Sequence, residues 1–411
     1  MKPTINQHYV PRFYMKNFSN VKNIGTKKEK SLISFYQFKN NLLKENIPIN
    51  SICAEDYFYD EDGRIENTLS NLEGKWSKLL KNAINENITM NDIENIREFA
   101  VYQFARTKAM LYHNREITES IMRKVLNQNI SHISDKESFN TLLKDKVENE
   151  ITPESILANM KKLIFVMSDL KMKIINNKTE KKFITSDVPI IMTNPFHVHI
   201  SGLASIGEVL FFPISPFKMI FFYDGKLFDE IPDNIESEVI IEIFNNYQYI
   251  SADERILAMN LKDINYIIND NELNSKREKF HKIKKIDAID DGHGIFIAAK
   301  SRSIPYYYTI PFLHLPVQLK KIPVAFRETF DRKYSYDTRL AILCRIYGTP
   351  DFANNSELME HWKKQKNYSK KLLKYLDSYW NTPKEDTIIT PNLMNELKKV
   401  RIDCHINKDK Y

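Results

Sequence analysis

The sequence predicts an α+β protein with a helical N-terminal half, a central mostly antiparallel sheet, and a smaller mixed, helix-rich C-terminal region. Apolar residues recur at helical spacing between residues 65 and 169. Between residues 171 and 223 they give way to short runs rich in β-branched and aromatic residues, which are typical of strands. A polar, lysine-rich stretch at 271–285 predicts a boundary between a core domain, residues 1–270, and a basic C-terminal region, residues 271–411.

The first elements follow from one proline and two extended runs. Residues 8–11 should be extended, because proline disfavours helical backbone in the residue before it. Pro11 suits the first turn of a short helix that runs through Phe18. The alternating run at 31–38 predicts a strand, and a second extended run at 49–59 predicts its hairpin partner.

Helices follow. A long helix begins at Ile65, and Asn91 with Asp92 predicts the N-cap of another, whose buried stripe runs from Ile96 to Ile117. The remaining predicted helices lie at 121–169, 235–246, 338–347 and 357–380, and the strands at 171–176, 182–186, 190–193, 208–212, 218–223, 264–268, 294–299, 306–310 and 324–326.

Composition excludes several classes of protein. With 42% hydrophobic residues and a net charge of +7, neither a disordered nor a fibrous chain fits. Prolines and a lysine interrupt the apolar stretch at 209–222 before it reaches the roughly 20 residues of a membrane span, so no membrane association is expected. Residues 1–10 lack the apolar segment of a secretory signal, which predicts a cytoplasmic protein. The three cysteines have no metal-binding spacing, and no glycine-rich phosphate loop occurs.

The positive charge is concentrated near the C-terminus. Residues 301–411 carry a net charge of +8, whereas residues 1–300 carry −1. Within this part, the predicted helix at 357–380 combines an apolar stripe with six lysines, so it can contact phosphates or a protein partner. The ordinary alternative is a solvated lysine-rich face.

Polar residues interrupt the buried stripe of the helix that begins near Asn91. Gln103, Arg106 and Thr107 would each cost free energy on a buried face unless they are paired. Arg106 can hold a phosphate or carboxylate with two hydrogen bonds, and Gln103 lies one turn earlier. The alternative is a structural ion pair of Arg106 with Glu66 or Glu73, which lie on the preceding helix.

A second polar group ends a predicted strand. Ser186 and Asp187 follow an apolar run, and Pro189 stops regular pairing two residues later. Asp187 can ligate a divalent cation or act as a base, and the alternative is a turn in which these side chains cap their own backbone. His8, at the entry to the first helix, can titrate near neutral pH or bind a metal. The histidines at 197 and 199 and the loop at 290–293 are interpreted as surface features.

Four segments together carry a resemblance. Residues 7–18, which contain the His-Tyr-Val-Pro run at 8–11, and residues 103–107, 183–189 and 212–216 resemble the bacterial family of unknown function DUF4238. The resemblance covers residues 5–265 and departs at Val188, where asparagine is expected. It implies no reaction, but it favours a shared polar pocket over independent structural roles for the following residues: His8, Glu66, Glu73, Gln103, Arg106, Ser186 and Asp187.

We therefore carry two functional hypotheses. In the first, the chain is a metal-assisted phosphodiester hydrolase, a nuclease that acts as a toxin or as an effector of anti-phage defence. Glu73, Asp187 and His8 would bind Mg²⁺ or Mn²⁺, and Arg106 with Gln103 would stabilise charge on the phosphate; alternatively, His8 serves as a general base without metal. In the second, the chain is a non-catalytic sensor that binds an anionic ligand or a foreign protein, and its basic C-terminal region recruits a protein partner.

Overall fold

The fold is seen in a computed structural model. It describes residues 4–313 with the exception of 128–135, 159–162, 165, 169, 196–201, 204–206, 226–227, 229, 284–285, 291–294 and 300–301. The predictions for residues 197, 199, 291–293, 324–326, 338–347 and 357–380 therefore lie outside the described residues. In the described part of the chain, no helix is both long and apolar enough to cross a bilayer.

The predicted α+β class is confirmed. The helices are α1 (Arg12–Lys16), α2 (Arg64–Ile84), α3 (Met90–Ala105), α4 (Lys108–Asn127), α5 (Lys136–Glu150), α6 (Pro153–Ala158), α7 (Glu238–Ser251), α8 (Lys262–Ile268) and α9 (Asn271–His281). The strands are β1 (Asn6–His8), β2 (Asn20–Lys22), β3 (Lys30–Gln37), β4 (Leu42–Pro48), β5 (Ala54–Asp56), β6 (Lys171–Asn177), β7 (Thr185–Ser186), β8 (Ile191–Thr193), β9 (Val209–Ser215), β10 (Lys218–Tyr223), β11 (Asn234–Ile235), β12 (Arg255–Ala258), β13 (Ile286–Asp290) and β14 (Ile295–Ala299).

The central sheet has five strands in the order β11-β6-β10-β9-β8. All neighbours are antiparallel except β11 and β6, which are parallel. A second sheet has the order β2-β3-β12-β7, and β4 also pairs with β3. The two sheets are tied together at α1, where the Tyr14 hydroxyl donates to the Pro213 carbonyl at 2.6 Å and lies 2.9 Å from the Thr185 hydroxyl.

Helices cover both faces of the central sheet. Phe212 of β9 packs against Phe99 of α3, with ring centroids 6.0 Å apart. Its neighbour Phe211 packs against Phe244 of α7 on the opposite face, with centroids 4.8 Å apart. Because both faces of the sheet are buried, residues 209–212 of β9 are all apolar instead of alternating between apolar and polar. Burial of each such ring stabilises the fold by about 1.5–3 kcal/mol.

Two strand predictions were wrong, because a short apolar pattern determines neither the pairing partner of a strand nor the choice between strand and helix. The hairpin partner of β3 is β4, whereas the extended run at 49–59 contains a short 3₁₀ helix and β5, which pairs with β1. The predicted strand at 264–268 is helix α8, in which Ile264 and Ile267 are buried one turn apart. The strand of that region is β12, which none of the predicted strands covers.

Near the end of the described chain, the predicted strand at 306–310 was also wrong. Ile304, just before the predicted strand, forms an isolated β-bridge with Thr193. The Tyr306 hydroxyl instead accepts the N–H of Ile310 at 2.8 Å and so closes a turn. The polar stretch after residue 270 begins with α9, in which Leu273 and Phe280 are buried. The division at residue 270 into two domains stays a prediction.

The continuous stripe predicted from Ile96 to Ile117 is two helices. α3 ends at Ala105, and Thr107 begins α4 by accepting the N–H of Met110 through its hydroxyl at 3.3 Å. Thr107 is therefore polar because it caps a helix. A new helix can start at this point without leaving the core, so the apolar spacing continues across the break.

The N-cap of α3 is Thr89, not Asn91 or Asp92. The Asp92 carboxylate accepts the Thr89 main-chain N–H at 2.7 Å and the Thr89 hydroxyl at 2.9 Å. Asp92→Ala should therefore lower the free energy of unfolding by about 1 kcal/mol. Asn91→Ala, one residue earlier, is the control and should change it by less than about 0.5 kcal/mol. Equal losses for both variants, measured by urea denaturation, would contradict the capping assignment.

Candidate functional site

The segment that carries the His-Tyr-Val-Pro run is held by its main chain. β1 pairs with β5, and the Tyr9 N–H donates to the Cys53 carbonyl at 3.0 Å. Because successive side chains of an extended segment point to opposite sides, His8 and Tyr9 face different parts of the molecule. The predicted site residues likewise fall into two groups, one around His8 and one around Asp187.

Arg106 directly follows α3, and its guanidinium is buried, with 1% of the side chain exposed. Nη1 donates to the Glu73 carboxylate at 2.6 Å, Nη2 to the His8 carbonyl at 2.7 Å, and Nε to the Tyr59 hydroxyl at 2.8 Å. The sequence analysis gave this ion pair with Glu73 as the alternative to ligand binding by Arg106. Each guanidinium nitrogen has a protein partner, so Arg106 positions His8 instead of presenting a free cation.

Two glutamines hold the same segment from either side. Gln103 Nε2 donates to the Tyr9 carbonyl at 3.2 Å, while its Oε1 is buried with no hydrogen-bond partner among the residues that the structure describes. The fully buried Gln7 accepts the Tyr59 N–H at 2.6 Å and donates to the Asp60 carbonyl at 2.7 Å. Only the family resemblance marked Gln7, because a single buried amide leaves no periodic signal in the sequence.

His8 keeps an uncharged imidazole in this setting. The side chain is half-buried, and Nε2 is buried with no hydrogen-bond partner within the described part of the chain. Burial, followed by the charge of Arg12, lowers the pKa of His8 from 6.5 to about 4, although the Ile49 carbonyl favours the protonated form. The charge of Arg106 lowers this pKa further. At pH 7 the ring is therefore neutral and is able to accept a proton.

The pKa of Glu66 is shifted in the opposite direction from that of His8. Burial, followed by the neighbouring Glu73 carboxylate, raises the pKa of Glu66, while Arg106 and Arg12 oppose the rise. The charges of Arg12 and Arg106 lower the pKa of both His8 and Glu66, so the two side chains lie within the electrostatic reach of the same two arginines. We use the name His8 pocket for this charged set of residues. Its members are His8, Arg12, Tyr59, Glu66, Glu73 and Arg106.

The low pKa of His8 predicts a specific pH dependence. The imidazole titrates near 6.5 in the unfolded chain and near 4 in the folded protein, so between these values the unfolded state binds more protons. The free energy of unfolding should therefore decrease as the pH falls from 6.5 to 4, and this part of the decrease should be absent in His8→Gln. Urea denaturation of both proteins at several pH values measures the difference. A constant difference across this range would contradict the assignment.

Ser186 and Asp187 are engaged elsewhere. The Ser186 hydroxyl donates to Gln248 Oε1 at 2.8 Å and accepts the Val188 N–H at 3.1 Å, the turn that the sequence offered as the alternative to catalysis. The two Asp187 oxygens accept the N–H groups of Asp253 at 3.0 Å and Glu254 at 2.7 Å. Asp187 therefore holds the connection between α7 and β12.

The environment of Asp187 is buried and acidic. Burial raises the pKa of Asp187 above its usual value, the Asp253 carboxylate adds to the rise, and the two N–H donors oppose it. Tyr9 links this place to the His8 pocket, because its hydroxyl donates to Glu254 at 3.4 Å while its carbonyl accepts from Gln103. The signature residues thus form two clusters on either side of Tyr9.

The predicted metal ligands are not brought together. Among the described residues, no group of three or more His, Cys, Asp or Glu side chains could hold a metal ion. Glu73 is paired with Arg106, and both Asp187 oxygens accept main-chain N–H groups. The expectation that His8, Glu73 and Asp187 share one Mg²⁺ or Mn²⁺ ion therefore has no support in this arrangement.

Comparison with known proteins gives a family and no activity. The family model described as "Protein of unknown function (DUF4238)" matches residues 6–261, well over half of the chain. No curated protein matches the chain, and no solved structure matches it. The matched range contains both clusters and ends just after β12.

Proposed function

The chain belongs to the DUF4238 family, and we propose that it is a phosphodiester hydrolase, a nuclease, in which His8 acts as general base. The observation that carries the proposal is the neutral, half-buried His8 imidazole, whose Nε2 has no hydrogen-bond partner within the described residues and whose pKa the charges of Arg12 and Arg106 lower. General acid–base catalysis uses two titratable groups whose surroundings push their pKa values in opposite directions, so that one can accept a proton and the other can donate one. The pKa of His8 is lowered, which favours its proton-accepting form, and the pKa of Glu66 is raised, which favours its proton-donating form.

The roles follow from the charges around each group. Neutral His8 would accept the proton of the attacking hydroxyl or water, and Glu66, whose raised pKa favours its acid form, would donate a proton to the leaving oxygen. Arg12 is exposed at the pocket, whereas each guanidinium nitrogen of Arg106 already has a protein partner. Arg12 is therefore the cation that would bind the phosphate.

The low pKa of free His8 fits a base that the substrate activates. Burial and two guanidinium charges lower this pKa, and a phosphate bound at Arg12 would offset the positive charge. The pKa would then rise toward neutrality only when substrate is present. This mechanism requires no metal ion.

The test uses purified full-length protein with single-stranded RNA, tRNA, single-stranded DNA and duplex DNA, each with EDTA, Mg²⁺ or Mn²⁺. We expect cleavage of at least one substrate in EDTA. His8→Gln should lower its rate about a hundredfold or more, the usual contribution of a general base. Glu66→Gln should also lower it, and Glu61→Gln, which replaces an exposed residue in the preceding turn, should not.

Three outcomes would overturn the proposal. The first is that every substrate stays intact under all conditions, and the second is full activity of folded His8→Gln. The third is cleavage that depends strictly on Mg²⁺ or Mn²⁺, which would instead favour the metal-assisted hypothesis. Binding of an oligonucleotide without cleavage would support the sensor hypothesis.

A further inference from the structure

An acidic groove lies on the opposite side of the central sheet from α2 and α3. It has a volume of about 540 Å³ and lies between β11, the start of α7 and residues 311–312. Its lining includes Glu230, Pro232, Ile235, Glu236, Ile240 and Phe312. The groove thus combines apolar side chains with a carboxylate rim.

The segment that forms most of the groove carries only negative charges. Residues 230–242 contain five acidic residues and no lysine or arginine. Asp233 and Glu242 form ion pairs with lysines of the sheet and its adjoining loop. Glu230 and Glu236 have no ion-pair partner within the described part of the chain, so their charges are available to a cationic ligand.

The groove also lies where the described chain ends. Phe312 packs one edge against Phe221, with ring centroids 5.7 Å apart, and Leu313 is buried. The 98 residues after Leu313 follow directly from the edge of the groove and carry the opposite charge, because residues 314–411 have a net charge of +7. Their most basic part is residues 361–376 of the predicted amphipathic helix at 357–380, which contain six lysines and no acidic residue.

The reach of the chain permits the contact. Residues 314–356 separate the groove from the basic segment, and 43 residues can span up to about 150 Å. The apolar stripe of the segment, which includes Trp362, Leu372 and Leu376, matches the apolar lining of the groove. Its lysines match the free carboxylates of Glu230 and Glu236.

We propose that the groove between β11 and α7 is the docking site of the basic amphipathic segment 357–380 of the same chain. The segment lies outside the described residues. Its apolar stripe faces the groove, and its lysines pair with the acidic rim. This proposal is independent of the chemistry at the His8 pocket, which lies on the other face of the central sheet.

Carbodiimide cross-linking of the full-length protein tests the contact, because it joins carboxylates to lysine amines that are in contact. An equal mixture of ¹⁴N- and ¹⁵N-labelled protein distinguishes links within one chain from links between copies. We expect mass spectrometry to find links within one chain between lysines 363–374 and the carboxylates of residues 230–242. Leu372→Asp/Leu376→Asp keeps every reactive group and should reduce these links at least fivefold.

The matched control is Asn367→Asp/Ser378→Asp, which adds the same charge on the side of the predicted helix away from the stripe. It should retain most of the links. Absence of these links in the unmodified protein would overturn the proposal, as would their persistence in Leu372→Asp/Leu376→Asp. Links found only between differently labelled copies would show that a second chain occupies the groove and would also overturn it.

Discussion

Arg106→Ala should lower the free energy of unfolding by about 3–5 kcal/mol, the usual effect of removing one partner from a buried ion pair. The substitution leaves the Glu73 carboxylate without its cation and beside Glu66. It also leaves the His8 carbonyl without the donor that lies 2.7 Å away. Unsatisfied buried groups each cost about 1–3 kcal/mol, so the losses act in the same direction.

Two further variants show whether the geometry or only the charge of Arg106 matters. Arg106→Lys keeps the charge but cannot donate to Glu73, Tyr59 and His8 from one planar group, so we expect an intermediate loss. Arg64→Ala removes an exposed arginine that pairs with Asp62 and should change the free energy of unfolding very little, because solvent screens an exposed ion pair. Urea denaturation of the three variants gives the comparison. A loss below about 1 kcal/mol for Arg106→Ala would contradict the structural role.

The part of the site that the sequence predicted is the part that depends on helical spacing. Glu73 and Arg106 interrupt or border apolar stripes of two helices, so their meeting could be expected from periodicity. Gln103 lies one turn before Arg106 and contacts the same N-terminal segment. For such residues, position along the chain determines position in space once the helices pack.

The separation of His8 from Asp187 could not be predicted in this way. The two residues belong to different sheets, and strand alternation directs Tyr9, not His8, toward Glu254 near Asp187. The partners of Asp187 are main-chain N–H groups, which have no signature in the sequence. A strand-end aspartate therefore looks the same whether it binds a metal ion or a distant loop.

The fold shows the same contrast between local and distant information. The apolar run of β9 identified a strand, and the neighbouring Phe211 and Phe212 contact helices on opposite faces of the sheet. Residues 264–268 also look strand-like, but Ile264 and Ile267 are buried one helical turn apart. In a short segment, the same few apolar residues fit either period, and tertiary packing decides between them.

Asp187→Ala should lower the free energy of unfolding by about 2–4 kcal/mol, because it removes the acceptor of two main-chain N–H groups. Asp187→Asn keeps one acceptor oxygen but turns an amide toward the other N–H, so its loss should be smaller. Asp145→Ala, an exposed change on α5, is the control and should have little effect.

The pH dependence separates this structural role of Asp187 from a catalytic one. Burial raises the pKa of Asp187 in the folded protein, so the folded state holds its proton at pH values where the unfolded chain has lost it. The stability linked to this proton is present below about pH 4, the usual pKa of aspartate, and is lost as the pH rises. Asp187→Asn cannot ionise, so the stability difference between it and the unmodified protein should narrow as the pH rises above 4. A catalytic Asp187 with no structural role would instead give Asp187→Asn the stability of the unmodified protein at every pH, with loss of activity alone.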